Sequence, residues 1–342
     1  MRSVVLLVGF VAMVAAVPAH AELTVNWFGF AQLTAQQLAE REVVQQDGVS
    51  FGADRVRVGM RVRDDKAFGR IHLDINRNDI ALSKNGTLPE VVKDAEAGYQ
   101  VSRAVKFKAG QFKTPLGMDF GMYGAGLDMT KRAMEKQLVL ERTVGVMMSG
   151  RKIGPAKLGY DLFAGNPAGR SAAHAQGVVG HDQTLAVRGH FDGIRDLHVE
   201  AAFAVDQNDT LNSYRAFDVG ARYVTRDWTF KAEFIRGMNI RGADGDDQDV
   251  WYGHVGYLWQ PDVEFLVRHY QGTRDDGEVS TSLGNTWFGV NYFLGSDRFN
   301  GRVQVNYVMV SGDDETATVL GAGKGSGVFV DDAMLAQYQM HF

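Results

Sequence analysis

Between residues 53 and 64 the chain alternates without a break: Val56, Val58, Met60 and Val62 fall on one parity, and Arg55, Arg57, Arg61 and Arg63 on the other. Period-two alternation is the signature of a strand with one apolar and one polar face. A face of valines opposite a face of arginines constrains the fold sharply. On a lipid-facing surface each arginine would cost roughly 2–4 kcal/mol at the bilayer midplane, whereas facing an aqueous lumen it costs little. The pattern therefore predicts a barrel that shows its apolar parity to lipid and its charged parity to water.

The same alternation recurs along the chain. It predicts sixteen strands, at residues 23–38, 53–64, 68–78, 92–102, 105–112, 143–150, 156–166, 183–191, 196–206, 214–225, 228–238, 250–259, 263–272, 285–294, 299–311 and 330–342. An even count is what closure of an antiparallel bacterial barrel requires. The connections alternate between short ones (Asp64-Asp65, Arg103-Ala104, Asp192-Gly193, Arg226-Asp227, Gln260-Pro261) and long ones, as expected of periplasmic turns and extracellular loops. Pro89, Pro115, Pro155, Pro167 and Pro261 all fall in connections, where the missing N–H breaks no ladder. The last strand carries Met334, Ala336, Tyr338, Met340 and Phe342 on one face, an edge that would invite aggregation unless closed. Trp27, Trp228, Trp251, Trp259 and Phe299 sit near strand ends, where interfacial aromatic girdles belong.

The first residues fix the compartment. Met1-Arg2-Ser3, the apolar run 4–17 and Ala19-His20-Ala21 have the layout of a cleaved secretory signal peptide, so residues 1–21 are expected to be removed and residues 22–342 to form one barrel domain. The chain has no cysteine, which excludes disulfide scaffolds and thiolate chemistry. A formal net charge of −5 excludes a nucleic-acid-type basic surface. A mean hydropathy of −0.18 is compatible with a membrane barrel, because its two faces average out.

One connection stands apart. Residues 113–142 form the longest interval of the predicted domain without strand alternation, and loops of that length in compact domains are usually functional. Its middle, 127–140, has the character of a short helix. The loop is expected to fold into the lumen and set the size cutoff, with Lys113, Asp119, Asp128, Lys131, Arg132, Glu135, Lys136, Glu141 and Arg142 as its charged residues.

Around this loop the chain resembles a known family. Gly110-Gln111-Phe112-Lys113-Thr114-Pro115-Leu116-Gly117, followed by Leu140-Glu141-Arg142-Thr143, resembles the phosphate-selective porin O/P family, in which a strand ends in Gly-Gln-Phe-Lys-x-Pro and a Glu-Arg pair opens the next strand. The match spans residues 107–166. The resemblance implies a sixteen-stranded outer-membrane channel that assembles as a homotrimer and is narrowed by its third loop.

Sixteen strands enclose an aqueous channel rather than a packed core. Arg55, Arg57, Arg61, Arg63 and Arg70, with Lys106 and Lys108, are expected to make one wall cationic. Such a wall concentrates anions, and guanidinium groups offer paired donors to phosphate or carboxylate oxygens. The plainer alternative is that these cations pair with Asp74, Glu96 or the loop carboxylates and brace the wall. The function expected is passive diffusion of small hydrophilic solutes with a modest preference for anions such as phosphate. The surroundings would be outer-membrane lipid and lipopolysaccharide, with no nucleic acid, cofactor or metal. The nine histidines show no ligand spacing, and no serine sits in a nucleophile elbow. A structural or adhesive barrel and a barrel-embedded hydrolase are the competing readings.

Overall fold

The computed structural model describes residues 23–38, 49–76, 87–167, 171–174, 182–312 and 327–342. Sixteen antiparallel strands close on themselves, each bonded to its sequence neighbours and the first to the last. They are β1 (Thr24–Leu38), β2 (Val49–Asp64), β3 (Ala67–Asp74), β4 (Val92–Gln100), β5 (Lys106–Lys113), β6 (Arg142–Ile153), β7 (Leu158–Gly165) and β8 (Thr184–Phe191) in the first half. The second half holds β9 (Leu197–Asp206), β10 (Tyr214–Val224), β11 (Trp228–Met238), β12 (Asp247–Gln260), β13 (Val263–Asp275), β14 (Ser280–Phe293), β15 (Gly301–Gly312) and β16 (Ala333–His341). No described helix is long and apolar enough to cross a membrane.

Closure is made at the ends of the chain. Phe30 pairs with His341 and Leu38 with Ala333, and Gly29 exchanges two 3.0 Å backbone bonds with Phe342. The ladder thus has no free edge, which is how a barrel satisfies its backbone in lipid. The apolar parity faces outward: Phe203, Val219, Phe230, Val267, Phe288 and Tyr338 are exposed on the outer surface, as are Met334 and Met340 of the last strand and Phe342 just after it. The five prolines all lie outside strands. Trp228 packs on Tyr257 at a ring separation of 4.5 Å, beside Trp259 and Phe265, forming an aromatic cluster at the short-turn end.

Two differences from the sequence reading each have a physical cause. The second, twelfth and fourteenth strands begin earlier than the apolar alternation does, at Val49, Asp247 and Ser280. Ladder bonds extend past the apolar band, because pairing needs backbone partners and not greasy side chains. The helix expected over 127–140 is reduced to one turn, α2 (Glu135–Leu138), and a second turn, α1 (Met118–Gly121), forms earlier in the loop. Neither turn has a side-chain cap bond, so tertiary contacts hold them. The leader 1–21 and part of the longest loops lie outside the described residues.

Candidate pore and its constriction

The segment between β5 and β6 lies across the lumen and is fastened to one side of it. Gln32 Nε2 of β1 donates to Gly124 O at 3.2 Å, and Lys131 Nζ donates to Gln36 at 2.8 Å. On β15, Arg302 donates to Ala125 O at 2.9 Å and Asn306 accepts from Thr130 N at 2.9 Å. On β11, Glu233 accepts from the backbone N–H groups of Met118 and Asp119 at 2.8 and 3.0 Å. Tyr214 of β10 donates to Leu138 O at 2.6 Å. Beneath the loop, Leu116, Phe120, Met134, Leu138 and Leu140 pack with Trp287, Tyr252 and Tyr270 of the wall. The loop therefore fills the half of the lumen bounded by β10–β16 and β1.

Its root explains the Gly-Gln-Phe-Lys sequence. Gly110 has φ +119°, and a Cβ there would stand 2.1 Å from Ala95 O, so only glycine fits. The fully buried Gln111 accepts from Leu88 N at 2.7 Å and donates to Val92 O at 2.7 Å, tying the base of the preceding loop to β5. Lys113 Nζ reaches Phe120 O at 2.6 Å and Met122 O at 2.7 Å, folding the loop back on its own root. Arg142 closes the other end through Asp94 at 2.9 Å.

The loop's remaining charges are largely turned to the wall. Asp128 is held by Lys231 at 2.5 Å and Arg268 at 2.8 Å. Burial would raise its pKa, but Lys231, with His254 and Arg268, holds the carboxyl below the usual range. Asp119 meets Arg268 at 3.4 Å, Lys131 meets Asp54 at 3.7 Å, and Lys136 pairs with Glu141 at 2.7 Å. Arg132 donates to Met122 O at 2.6 Å. Glu135 is fully buried, and neither of its oxygens has a hydrogen-bond partner. Burial, with Asp119 and Glu233 close by, pushes its pKa up to about 8.

A raised carboxyl favours the fold while neutral. Its contribution is whole below about 4.5, the unfolded value, and is lost as pH rises through about 8. Glu135→Gln keeps the neutral shape at every pH. The variant is therefore expected to match the parent in buffer at or below about pH 4.5 and to unfold a few degrees higher in mildly alkaline buffer. Thermal unfolding of both proteins at the two pH values checks this, and parallel pH curves would contradict it.

On the opposite side, along β2–β8, an open cavity of about 720 Å³ remains. Arg57, Arg61, Arg70, Arg103, Lys106, Lys108, Lys113, Arg142, Arg151, Lys152 and Arg188 line it, eleven cations against the three carboxylates of Asp94, Glu96 and Asp161. Some of the cations are neutralised. Arg57 pairs with Asp74 at 3.0 Å, Lys108 with Glu96 at 2.7 Å, and Arg70 with Asp94 at 3.1 Å. Arg151 and Arg188 both hold Asp161, at 2.8 and 2.9 Å. Among the described residues no carboxylate lies within ion-pair distance of Arg61, Arg103, Lys106 or Lys152. Arg61 instead stands 4.2 Å over the Phe28 ring, and Lys106 lies 4.1 Å over Phe68. An aromatic face fixes a cation without cancelling its charge.

The expected cationic wall is thus divided by depth and pairing. Arg57, Arg61, Arg70, Lys106 and Lys108 line the cavity. Arg55 lies behind the loop, bonded to Gln32 Oε1 at 2.6 Å, and Arg63 donates to Asp65 O and Gln100 near the turn. Of the loop residues, Lys113 and Arg142 line the cavity, whereas Asp119, Asp128, Lys131, Arg132, Glu135, Lys136 and Glu141 do not. Sequence reasoning missed Arg103, Arg151, Lys152 and Arg188, and the carboxylates Asp94 and Asp161. Parity carried the signal for Arg188, which shares a strand face with His190.

No protein-family model and no curated protein matches the chain. Solved structures do. The anion-selective porin of Comamonas acidovorans is similar at a TM-score of 0.70 and 10% identity, over 94% of this chain and all of that one. The outer-membrane protein OmpT of Vibrio cholerae, in a trimer form, is similar at 0.67 and 14% identity, over 94% of this chain and 99% of that one. OmpF of Salmonella typhi, in complex with daunomycin, gives 0.66 and 12%, over 93% and 97%. The chain has the fold of these outer-membrane proteins, a closed sixteen-stranded antiparallel barrel.

Proposed function

We propose that the protein is an outer-membrane porin, a passive channel for small hydrophilic solutes that favours anions such as phosphate modestly. The observation that carries the reading is the open cavity along β2–β8, with eleven cationic side chains and three carboxylates. Cations without carboxylate partners leave net positive potential in a wet, narrow space, and such a space raises the local concentration of anions. The ion pairs with Asp94, Glu96 and Asp161 make the preference modest, because they spend part of that charge on bracing the wall. Arg188 stands where the loop meets this wall, its guanidinium 3.6 Å from where a Cβ on Gly121 would stand.

Export through a cleaved leader, residence in outer-membrane lipid and assembly as a homotrimer belong to the same proposal. The outward apolar belt supports the lipid setting, and the trimeric form of the Vibrio protein supports the assembly. A channel rather than an enzyme is the reading, since the cavity lining offers charge and the loop divides the lumen. Reconstituted protein is expected to let liposomes swell in small anionic organic solutes several-fold faster than in cationic solutes of equal size. Equal rates would overturn the selectivity, and no swelling in any small solute would overturn the channel.

A further inference from the structure

The barrel carries a second constellation that the corridor does not use. The β8–β9 register sets His190 directly opposite Glu200, and His198 precedes Glu200 by two residues on the same strand face. One ligand atom from each of His190, His198 and Glu200 can lie within 4.8 Å of the other two. His198 Nε2 is 3.0 Å from Glu200 Oε2, and His190 Nδ1 is 3.6 Å from the same oxygen. A tetrahedral ion with bonds of about 2.0–2.1 Å spaces its ligand atoms about 3.3 Å apart, between those two distances.

The outer contacts orient both rings. Asp161 holds His190 Nε2 at 2.9 Å, and Asp192 holds His198 Nδ1 at 2.7 Å. A carboxylate on one ring nitrogen fixes the N–H there and turns the lone pair of the other nitrogen toward a metal. In this case the second nitrogen of each ring faces Glu200 Oε2. Arg188 engages the other oxygen, Oε1, at 3.3 Å and so leaves Oε2 as the donor. His190 and Glu200 are buried, whereas His198 is partly exposed beside an open recess shared with Asp192, Lys152 and Lys157. That recess gives an entry path and room for a fourth ligand from solution.

We propose that His190, His198 and Glu200 bind a divalent transition-metal ion of the zinc class at the short-turn mouth of the barrel. Two imidazoles and one carboxylate suit Zn²⁺, Cu²⁺ or Ni²⁺, whereas Ca²⁺ and Mg²⁺ prefer all-oxygen shells. The three groups come together because a hairpin register aligns them, which is why residue spacing along the chain does not show the site.

The test uses folded, chelator-treated protein in detergent, titrated with Zn²⁺ by calorimetry and in parallel with Mg²⁺ and Ca²⁺. The expected result is one Zn²⁺ per chain, at least a hundredfold preference over Mg²⁺ and Ca²⁺, and a tetrahedral visible spectrum when Co²⁺ is used. His198→Ala is expected to weaken Zn²⁺ binding at least a hundredfold. Asp192→Asn, which touches no metal, should weaken it about tenfold through the ring orientation alone. Heat-modifiable gel mobility verifies that each variant keeps its barrel, and none of these readouts depends on conductance. No saturable Zn²⁺ binding would overturn the site, as would binding that His198→Ala leaves unchanged.

Discussion

Arg61→Glu combined with Lys106→Glu is expected to abolish or invert the proposed anion preference while leaving the barrel folded. Both side chains line the corridor, and neither has a carboxylate partner whose charge would be left uncompensated. An anion passing about 7 Å from one such group in water-like surroundings gains about 0.6 kcal/mol, so reversing that charge changes its energy by about 1.2 kcal/mol. Each reversal shifts the local anion population several-fold, and two together should carry the permeability ratio past unity. The difference should shrink in high salt, where the Debye length falls to about 3 Å. Arg57→Glu is the informative contrast. It sets a carboxylate against Asp74, which lies 3.0 Å from Arg57 Nε, and should cost stability as well as selectivity. An unchanged permeability ratio in the double variant would separate the corridor's charge from its selectivity.

Arg268→Met is expected to release the third loop. Arg268 is 1% exposed and joins β13 to Asp119 and Asp128, with Tyr270 and His254 completing its contacts. Asp119 already has one oxygen without a partner, and Glu135 has two. Removing the guanidinium leaves Asp119 and Asp128 buried with Lys231 and Arg132 as the cations near them. Breaking a buried pair from one side costs about 3–5 kcal/mol. The loss falls on the loop rather than on the wall, because the sixteen ladders do not depend on this side chain. The expected outcome is a larger and noisier single-channel conductance, with new trypsin cleavage at Lys131, Arg132 or Lys136 and unchanged heat-modifiable mobility. A conductance and cleavage pattern like those of the parent would show that the loop is held by its apolar contacts alone.

The barrel was legible in the sequence because its physics is local. A strand between lipid and water must alternate, and residues 53–64 do so without interruption. Short turns, proline positions and the closing face of β16 followed from the same rule. The loop was legible as an interval and not as a shape. α1 and α2 are single turns fixed by contacts with β10–β16, far away in sequence, so propensity over 127–140 suggested more helix than forms.

The cavity lining was legible by parity but not by depth. Arg55 and Arg57 share a face, yet the first lies behind Gly124 of the loop and the second lines the cavity. Pairing was also hidden. Asp94 binds both Arg70 and Arg142, joining β3, β4 and β6, and no spacing rule foresees that. The His190, His198 and Glu200 group was missed for a related reason. Its geometry comes from the β8–β9 register, and the hairpin turn sets that register only once its residues are placed.

On the proposed function the open half of the lumen carries net positive potential and therefore passes anions more readily than cations. The zero-current potential of a planar bilayer containing the purified protein, held between two potassium chloride concentrations, reads this directly. A potential whose sign corresponds to chloride being more permeant than potassium, and whose size falls as total salt rises, is the predicted result. A potential of cation-selective sign would contradict the account.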